Sequence, residues 1–513
     1  MSSSKPITKR SSHGWYQKKA ATSSSFALLR DFLLANDATF EASDQEKADW
    51  IGAYVDQINP MVFAGLWRGR GSPPHPPAAM FKLTIFQILK KNLSPAKWAR
   101  EVLSDSILQT LISSITPSRT ALYNFQDRIS TIIEQIGQSL ITQSIEHEIL
   151  APSVAAVDGT SIRSYGSRHR IVNQKTLTRR RNELLDAIGR NNAEGTEAVL
   201  PAWMGKTVNG RLSQKENYDK ADIVLSRRIV ENATKRKASR RPIDEIHVSL
   251  SDPESALSRD KENVYCPMYS GQILTDAKSS LILGMSLSSH VTDVGTIGPM
   301  IDQVETTLGI KLNEIHADAA YSSLLDVKIC LERNVNLFAP VQENSRSKAN
   351  QSSKANKQLS RDHFQYNAET HSYTCPAGHS MAYHDRDNRQ RVNGNIVMER
   401  FRQSTEKCQA CPLAAQCLRG AKQRSVVRPI GQELIDAQKA KMTDAVALAS
   451  RVLRAQTIER TNANIKQRIG LRRFGVTTLQ RAKNCLALTI FVLNLMTVRR
   501  LLVQTSKPTQ ETS

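Results

Sequence analysis

Apolar positions recur at helical spacing from about residue 26 to residue 150. "AAMFKLTIFQILKKNLSPAKWAREVLSDSILQTLI" carries the pattern and breaks at "NLSP". Ser94 before Pro95 and Thr116 before Pro117 read as helix starts. Short helices between tight turns suit a helix-turn-helix-like DNA module, or equally a helical packing domain. "GRGSPPHPP", Gly69 to Pro77, is a stiff Pro-rich connector. From Ser153 the pattern becomes that of strands. "SVAAVDGTSI" reads as a buried strand ending in a turn at Asp158. A basic, polar stretch from about 163 to 245 shows little apolar periodicity and reads as an exposed elaboration. A hairpin follows, with strands in "VYCPMYSGQILTD" and "SLILGMSLSSH". A helix from about Val294 to Leu308 leads to a strand ending at Asp318 in "KLNEIHADAAYSS", then to a helix and the strand "VNLFAPV". This order predicts an α/β fold, a mixed sheet flanked by helices. Patterning fails from about Gln342 to Pro429, and helical spacing returns from Gly431 to Leu502 with a break at Gly470.

The expected organisation is a helical DNA-binding region over 1–150 and the first part of a catalytic core over 151–341. A Cys-rich insertion covers 342–430, the rest of the core 431–503, and a tail 504–513.

Charge sharpens the picture. Among 513 residues Lys plus Arg number 70 and Asp plus Glu 48, a formal charge of +22. A polyanion is the expected partner, nucleic acid first. The N-terminus has no apolar h-region of a secretory signal. The longest apolar run, Leu486 to Met496, falls short of the ~20 residues that span a bilayer. No membrane association is expected. Phe, Trp and Tyr make up only 5% of the chain, few for a protein that stacks single-stranded RNA.

Against that charge, three acids stand isolated. Between Glu148 and Glu183 the only acid is Asp158, and seven Lys or Arg follow it before the next. Asp318 likewise ends a short apolar strand and is followed by small residues. Glu459 is the only acid between Asp444 and Glu511, a stretch with twelve Lys or Arg. A solvated helix face normally mixes signs. Carboxylates at two strand ends and on a late helix make sense as hard oxygen ligands for Mg²⁺ or Mn²⁺ in phosphodiester chemistry. Surrounding Arg and Lys would hold a DNA backbone. Asp252 and Asp276 are weaker rivals for the second position, because both sit in turn-like contexts.

With these residues, the chain resembles the DDE transposases of bacterial insertion sequences over most of its length. "AAVDGTSI" looks like their first-Asp strand, "IHADAAYSS" like the second, and "IERTNANIKQRIGLRRFG" like the helix bearing the third acid. The resemblance implies an RNase H-like core with Asp158, Asp318 and Glu459 as catalytic metal ligands. It further implies cleavage at element ends, strand transfer into target double-stranded DNA, a homo-oligomer on DNA, and a bacterial, cytoplasmic, nucleoid-associated protein. Many of these enzymes carry a Tyr-Arg-Glu-Lys signature with six residues between Glu and Lys, a spacing that Glu459 and Lys466 keep. Its Tyr and Arg positions are Val452 and Ala455 here, with Arg454 one residue off. On one helical face, Lys466 would hold a phosphate beside Glu459. Arg454, Arg460, Arg468, Arg472 and Arg473 are further candidate DNA contacts, with Arg481 and Lys483 beyond them.

"YTCPAGH" and "EKCQACPLAAQC" bring Cys375, Cys408, Cys411 and Cys417 into one insertion. Four thiolates suit structural Zn²⁺ in a segment with too few apolar residues for a core of its own; reduced thiols without metal are the alternative. His379 or His384 could replace one thiolate. Cys266, Cys330 and Cys485 read as core residues. His316 could touch DNA or metal, but a packed histidine is the stronger expectation, and the five Trp belong to core or interface.

Overall fold

The computed structural model describes residues 43–66, 75–148, 150–194, 200–235, 237, 240–260, 262–290, 293–341, 359, 361–391, 394–418 and 420–505. Most of the Pro-rich connector, nearly all of the polar linker from 342, the end of the tail, Trp15 and Trp67 lie outside these residues.

A mixed sheet organises the molecule. Strand β1 (Val154–Arg163) is followed by β2 (Ile171–Asn173), β3 (His247–Ser249), β4 (Ala256–Arg259), β5 (Tyr265–Asp276), β6 (Ile282–Ser288), β7 (Glu314–His316) and β8 (Asn336–Phe338). The sheet runs β4-β5-β1-β7-β8, with β6 also on β5. β1, β5 and β6 pair antiparallel, whereas β7 and β8 run parallel to β1. Ala155, Ala156 and Val157 are completely buried at the sheet's centre. Small and branched apolar residues suit a strand covered on both faces. β1 does not stop at Asp158. It continues through Gly159, because β5 is long enough to pair with it as far as Arg163.

Helices 44–57, 77–89, 95–101, 106–111, 119–129 and 133–146 build the N-terminal region. The first has a full capping box between Ser43 and Glu46. Ser94 makes no side-chain cap, and the helix expected from Thr116 starts at Arg119 with Ser118 as its cap. One cluster of buried side chains runs from Trp50, Phe81 and Trp98 through Val157 and Tyr321 to Phe491. The N-terminal helices therefore share the sheet's core instead of closing a core of their own.

The helix Leu479–Thr505 is the strut between them. Asn494 clamps it to β6, giving Nδ2 to the Ile282 carbonyl and accepting from the Ile282 N–H. Arg481 and Lys483, expected on phosphates, are occupied within the fold by Asp127 and Glu134. By length and composition this helix could cross a membrane, but 67% of its apolar window is buried.

Two regions depart from the sequence reading. The basic stretch after β1 forms two long helices, Gln174–Glu194 and Val208–Thr234, over the β2–β3 ribbon, with a core including Leu177, Leu184, Tyr218, Leu225 and Val248. Widely spaced apolar residues on charged helices hid this periodicity. The Cys-rich segment forms a five-stranded antiparallel sheet: β9 (Gln365–Asn367), β10 (Ser372–Thr374), β11 (Ser380–Arg391), β12 (Gly394–Arg402) and β13 (Ser425–Pro429). Its small core is Phe364, Tyr373, Met381, Phe401 and Val426, so the segment does have a core of its own. Cys266 and Cys330 are buried, Cys485 is partly so, and Trp203 packs on Tyr218.

Candidate active site

The parallel register places the two aspartates side by side. Ala156 pairs with His316, the last residue of β7, so Asp158 lies two residues further along β1 and Asp318 two residues past the end of β7. Neighbouring strands run about 4.8 Å apart and side chains two residues apart share a face. Beyond His316 the β7 chain leaves the sheet: Asp318 Oδ1 accepts from Ala320 N at 2.8 Å and caps the short turn Ala319–Tyr321. The flank of Asp158 is thereby uncovered.

Asp158 Oδ1 accepts from Gly159 N at 2.9 Å, and Oδ2 accepts from Asn462 Nδ2 at 3.0 Å. Burial pushes its carboxyl above the ordinary carboxylate range; nearby Asp318 pushes it further, and the Arg454 guanidinium opposes this. Arg454 is half-buried, with a buried Nε that finds no partner among the described residues. Asn462 Oδ1 is also buried and without a partner there.

Asn462 is the contact that the sequence reading missed. It lies three residues after Glu459, a spacing that favours one helix face, and that was the only available signal. Glu459 itself is exposed. The helical run 444–468 contains π-helical turns at Ala455–Glu459 and Asn464–Arg468. The first packs against β1 and β5. Wide turns of this kind recur at functional sites and break the 3.6-residue repeat, so the shared face inferred for Glu459 and Lys466 does not follow from spacing alone. Among the described residues no three His, Cys, Asp or Glu side chains group closely enough for one metal ion.

His316 is a packed residue. Its Nδ1 meets Ser450 Oγ at 2.9 Å, its ring stacks on Phe338, and burial lowers its pKa. The rival aspartates are structural: Asp252 is held by Ser164, Tyr269 and the Thr478 N–H, and Asp276 caps its turn through Ser279.

Basic residues gather at the far end of β1. The Arg163 N–H reaches the Arg472 carbonyl, and the Phe474 N–H reaches the Arg163 carbonyl, which pins the loop after Gly470 to the strand. Arg473 donates to the carbonyls of Ser164 and Tyr165 and lies over the Tyr165 ring. With Arg163, Arg168 and His169 it lines an open cavity of about 370 Å³. Asp260 and Glu262 neutralise Arg163, but no acid pairs with Arg473 among the described residues. Arg472 donates to the Lys466 carbonyl, Arg460 is exposed, and burial beside Arg500 lowers the Arg468 pKa.

Cys375, Cys408, Cys411 and Cys417 line one small cavity together with His379. Gly378, at φ +79°, closes the turn after Cys375, a conformation that favours glycine. Burial raises the Cys417 thiol pKa, Arg424 lowers it, and the other three cysteines raise it further. His384 faces Asp385 and Arg402 instead.

Residues 374–499 match the family described as a transposase DDE domain. This span covers the Cys-bearing sheet from the end of β10, the Glu459 run and most of the last helix. No curated protein matches the chain.

Proposed function

Taking as premise that this chain is a DDE-type transposase, we propose that it cuts DNA at element ends and joins the freed 3′-hydroxyl to target DNA, using a divalent cation on Asp158, Asp318 and Glu459. The observation that carries the reading is the pair of half-buried aspartates, Asp158 on β1 and Asp318 in the turn just past the parallel strand β7, close enough for Asp318 to raise the Asp158 pKa. The donor set fits a hard cation, since two carboxylates and the orphaned Asn462 Oδ1 offer oxygen only. Mg²⁺ or Mn²⁺ bound there would lower the pKa of water and stabilise the leaving oxygen. Glu459, on the exposed side of the helical run, would complete the set.

The chain's own residues supply the rest. Asn462 and the Gly159 N–H fix the Asp158 carboxylate, each using one oxygen. Arg454 offers a cation beside it for a scissile phosphate. Arg473 with Arg168 and His169 offers a backbone path six residues along β1, about 20 Å at strand rise. Lys466, Arg460, Arg468 and Arg472 extend this basic surface. The mixed six-stranded sheet, in which β4, β5, β6 and β1 pair antiparallel while β7 and β8 run parallel to β1, supports the RNase H-like reading. Structural Zn²⁺ on Cys375, Cys408, Cys411 and Cys417, which line one cavity of the β9–β13 module without grouping closely enough for an ion as they stand, is part of the proposal. Two DNA ends held by two copies complete the proposal.

The test incubates the protein with labelled duplexes carrying the DNA that flanks its gene, a supercoiled plasmid, and Mg²⁺ or Mn²⁺. Metal-dependent joining that Asp158→Ala abolishes is expected. Cutting without joining would indicate a nuclease, binding alone a DNA-binding regulator, and cleavage surviving Asp158→Ala would remove that residue from the site.

A further inference from the structure

Behind the two aspartates, three side chains form a hydrogen-bonded chain. Gln272 stands on β5 opposite Gly159 and is buried. Its Nε2 donates to Asp293 Oδ1 at 2.6 Å, and its Oε1 accepts from the Tyr321 hydroxyl. Tyr321 ends the turn that Asp318 caps and has no exposed surface. The Asp293 carboxylate accepts and takes the amide Nε2, which leaves Oε1 for the Tyr321 hydroxyl.

Asp293 in turn lies against Gly159. A Cβ at Gly159 would come within 2.9 Å of Asp293 Oδ1, so a larger residue beside Asp158 would displace the carboxylate. The segment carrying Asp293 is tied back to the Asp318 side: Gly295 N donates to Asp326 Oδ1 at 2.8 Å, and Asp326 lies in the helix Leu324–Glu332 just after the Asp318 turn. The links form a chain from Asp293, which lies against Gly159, through Gln272 to Tyr321 in the turn that Asp318 caps.

We propose that Gln272, Asp293 and Tyr321 are positioning residues that set the separation of Asp158 and Asp318 for a divalent cation, acting through Gly159 and the turn 319–321. The proposal rests on the reading of these aspartates as ion ligands. Two like charges side by side repel, and no direct bond between them fixes their spacing. A neutral amide bonded at both ends spans the gap from one strand to the other, and groups that orient ligands in this way tune ion affinity without touching the ion.

The test uses the full chain with Tyr321→Phe and Asp293→Leu, each removing one link at similar side-chain volume. Three quantities are measured: Mg²⁺ dependence of DNA cleavage, the rise in melting temperature that Mn²⁺ produces without DNA, and DNA affinity. Both variants should melt within a few degrees of wild type without ion and bind DNA as wild type does. They should need about tenfold more Mg²⁺ for half-maximal cleavage, with a smaller Mn²⁺-induced rise. At saturating ion, kcat should return to within about threefold of wild type. An unchanged ion requirement in a chain whose wild type cleaves in an ion-dependent way would overturn the spacer alone. So would activity and ion-free melting temperature falling together with the ion requirement unchanged. Absence of ion-dependent cleavage in the wild type would overturn the aspartate reading itself. If Tyr321→Phe does not fold, Asp293→Leu at the half-buried end of the hydrogen-bonded chain decides.

Discussion

The two sheets place chemistry in opposite ways. In the mixed sheet, Asp158 lies on β1 and Asp318 caps the turn just after β7, both beside the large continuous core, and the groups packed around them include distant parts of the chain, Asn462 and the Gln272 chain. In the five-stranded sheet, the Cys thiols surround a cavity beside only five fully buried apolar side chains. The first site is built into the sheet that carries the large core, so losing a carboxylate should cost chemistry and little stability. The second sits beside a small core, so losing a thiol should cost more of its module's structure. Like charges held together need a rigid frame, and a small module whose side chains bound an ion would gain rigidity from it.

The largest effect tests the first half of that contrast. Asp318→Ala should lower DNA cleavage by about 10³-fold or more, about 4 kcal/mol of barrier, while melting and DNA affinity stay close to wild type. A parallel loss of melting temperature would erase the distinction between the sheets. Next, Cys408→Ser or a strong chelator should expose the module around 361–429 to protease and lower its melting temperature by roughly 5–10 °C. Limited proteolysis with mass spectrometry reads this, and unchanged cleavage kinetics in that segment would count against a metal-held module.

Burial within the frame also has a pH signature. Asp326 is pushed up to about 6, mainly by burial, with Asp293 adding to it and the Ser323 hydroxyl and Gly295 N–H opposing. An acid whose folded pKa exceeds its unfolded value favours the fold when protonated. Stability from this group is therefore fullest below about pH 4 and declines as pH rises to about 6, by on the order of 2–3 kcal/mol. Asp326→Asn should flatten that decline in denaturant unfolding measured between pH 4.5 and 7; an unchanged slope would assign it to other groups. The smallest effect belongs to the surface. Arg473→Gln should weaken DNA binding by about three- to tenfold and reduce the salt slope by about one, and an unchanged slope would remove the β1 cavity from the DNA path.

The sequence exposes some of this architecture and hides the rest for identifiable reasons. The β5–β6 hairpin, the strands around Asp158 and Asp318, and the break at Gly470 were legible because alternation and glycine punctuation are local signals. The isolation of Asp158 and Glu459 among basic residues was equally visible. Asn462, Gln272 and Asp293 were not, because their roles depend on pairing across more than a hundred residues or on a register that only the sheet defines. The end of β1 was misplaced for a related reason: Gly159 reads as a turn, but pairing with β5 carries the strand past it. The π turns around Glu459 were invisible, since an ordinary helical pattern continues through them. The Cys-bearing sheet was missed because its strands are polar and its core is a few aromatic residues.

The central claim is that Asp158 and Asp318 together form one cation site on the mixed sheet. Calorimetric titration of Mn²⁺ into the full-length protein, compared with Asp158→Asn and Asp318→Asn, tests it most directly. The account predicts a Mn²⁺ site in the wild type that either substitution alone removes, with DNA affinity retained. Mn²⁺ binding of the same stoichiometry and affinity in both variants would contradict it.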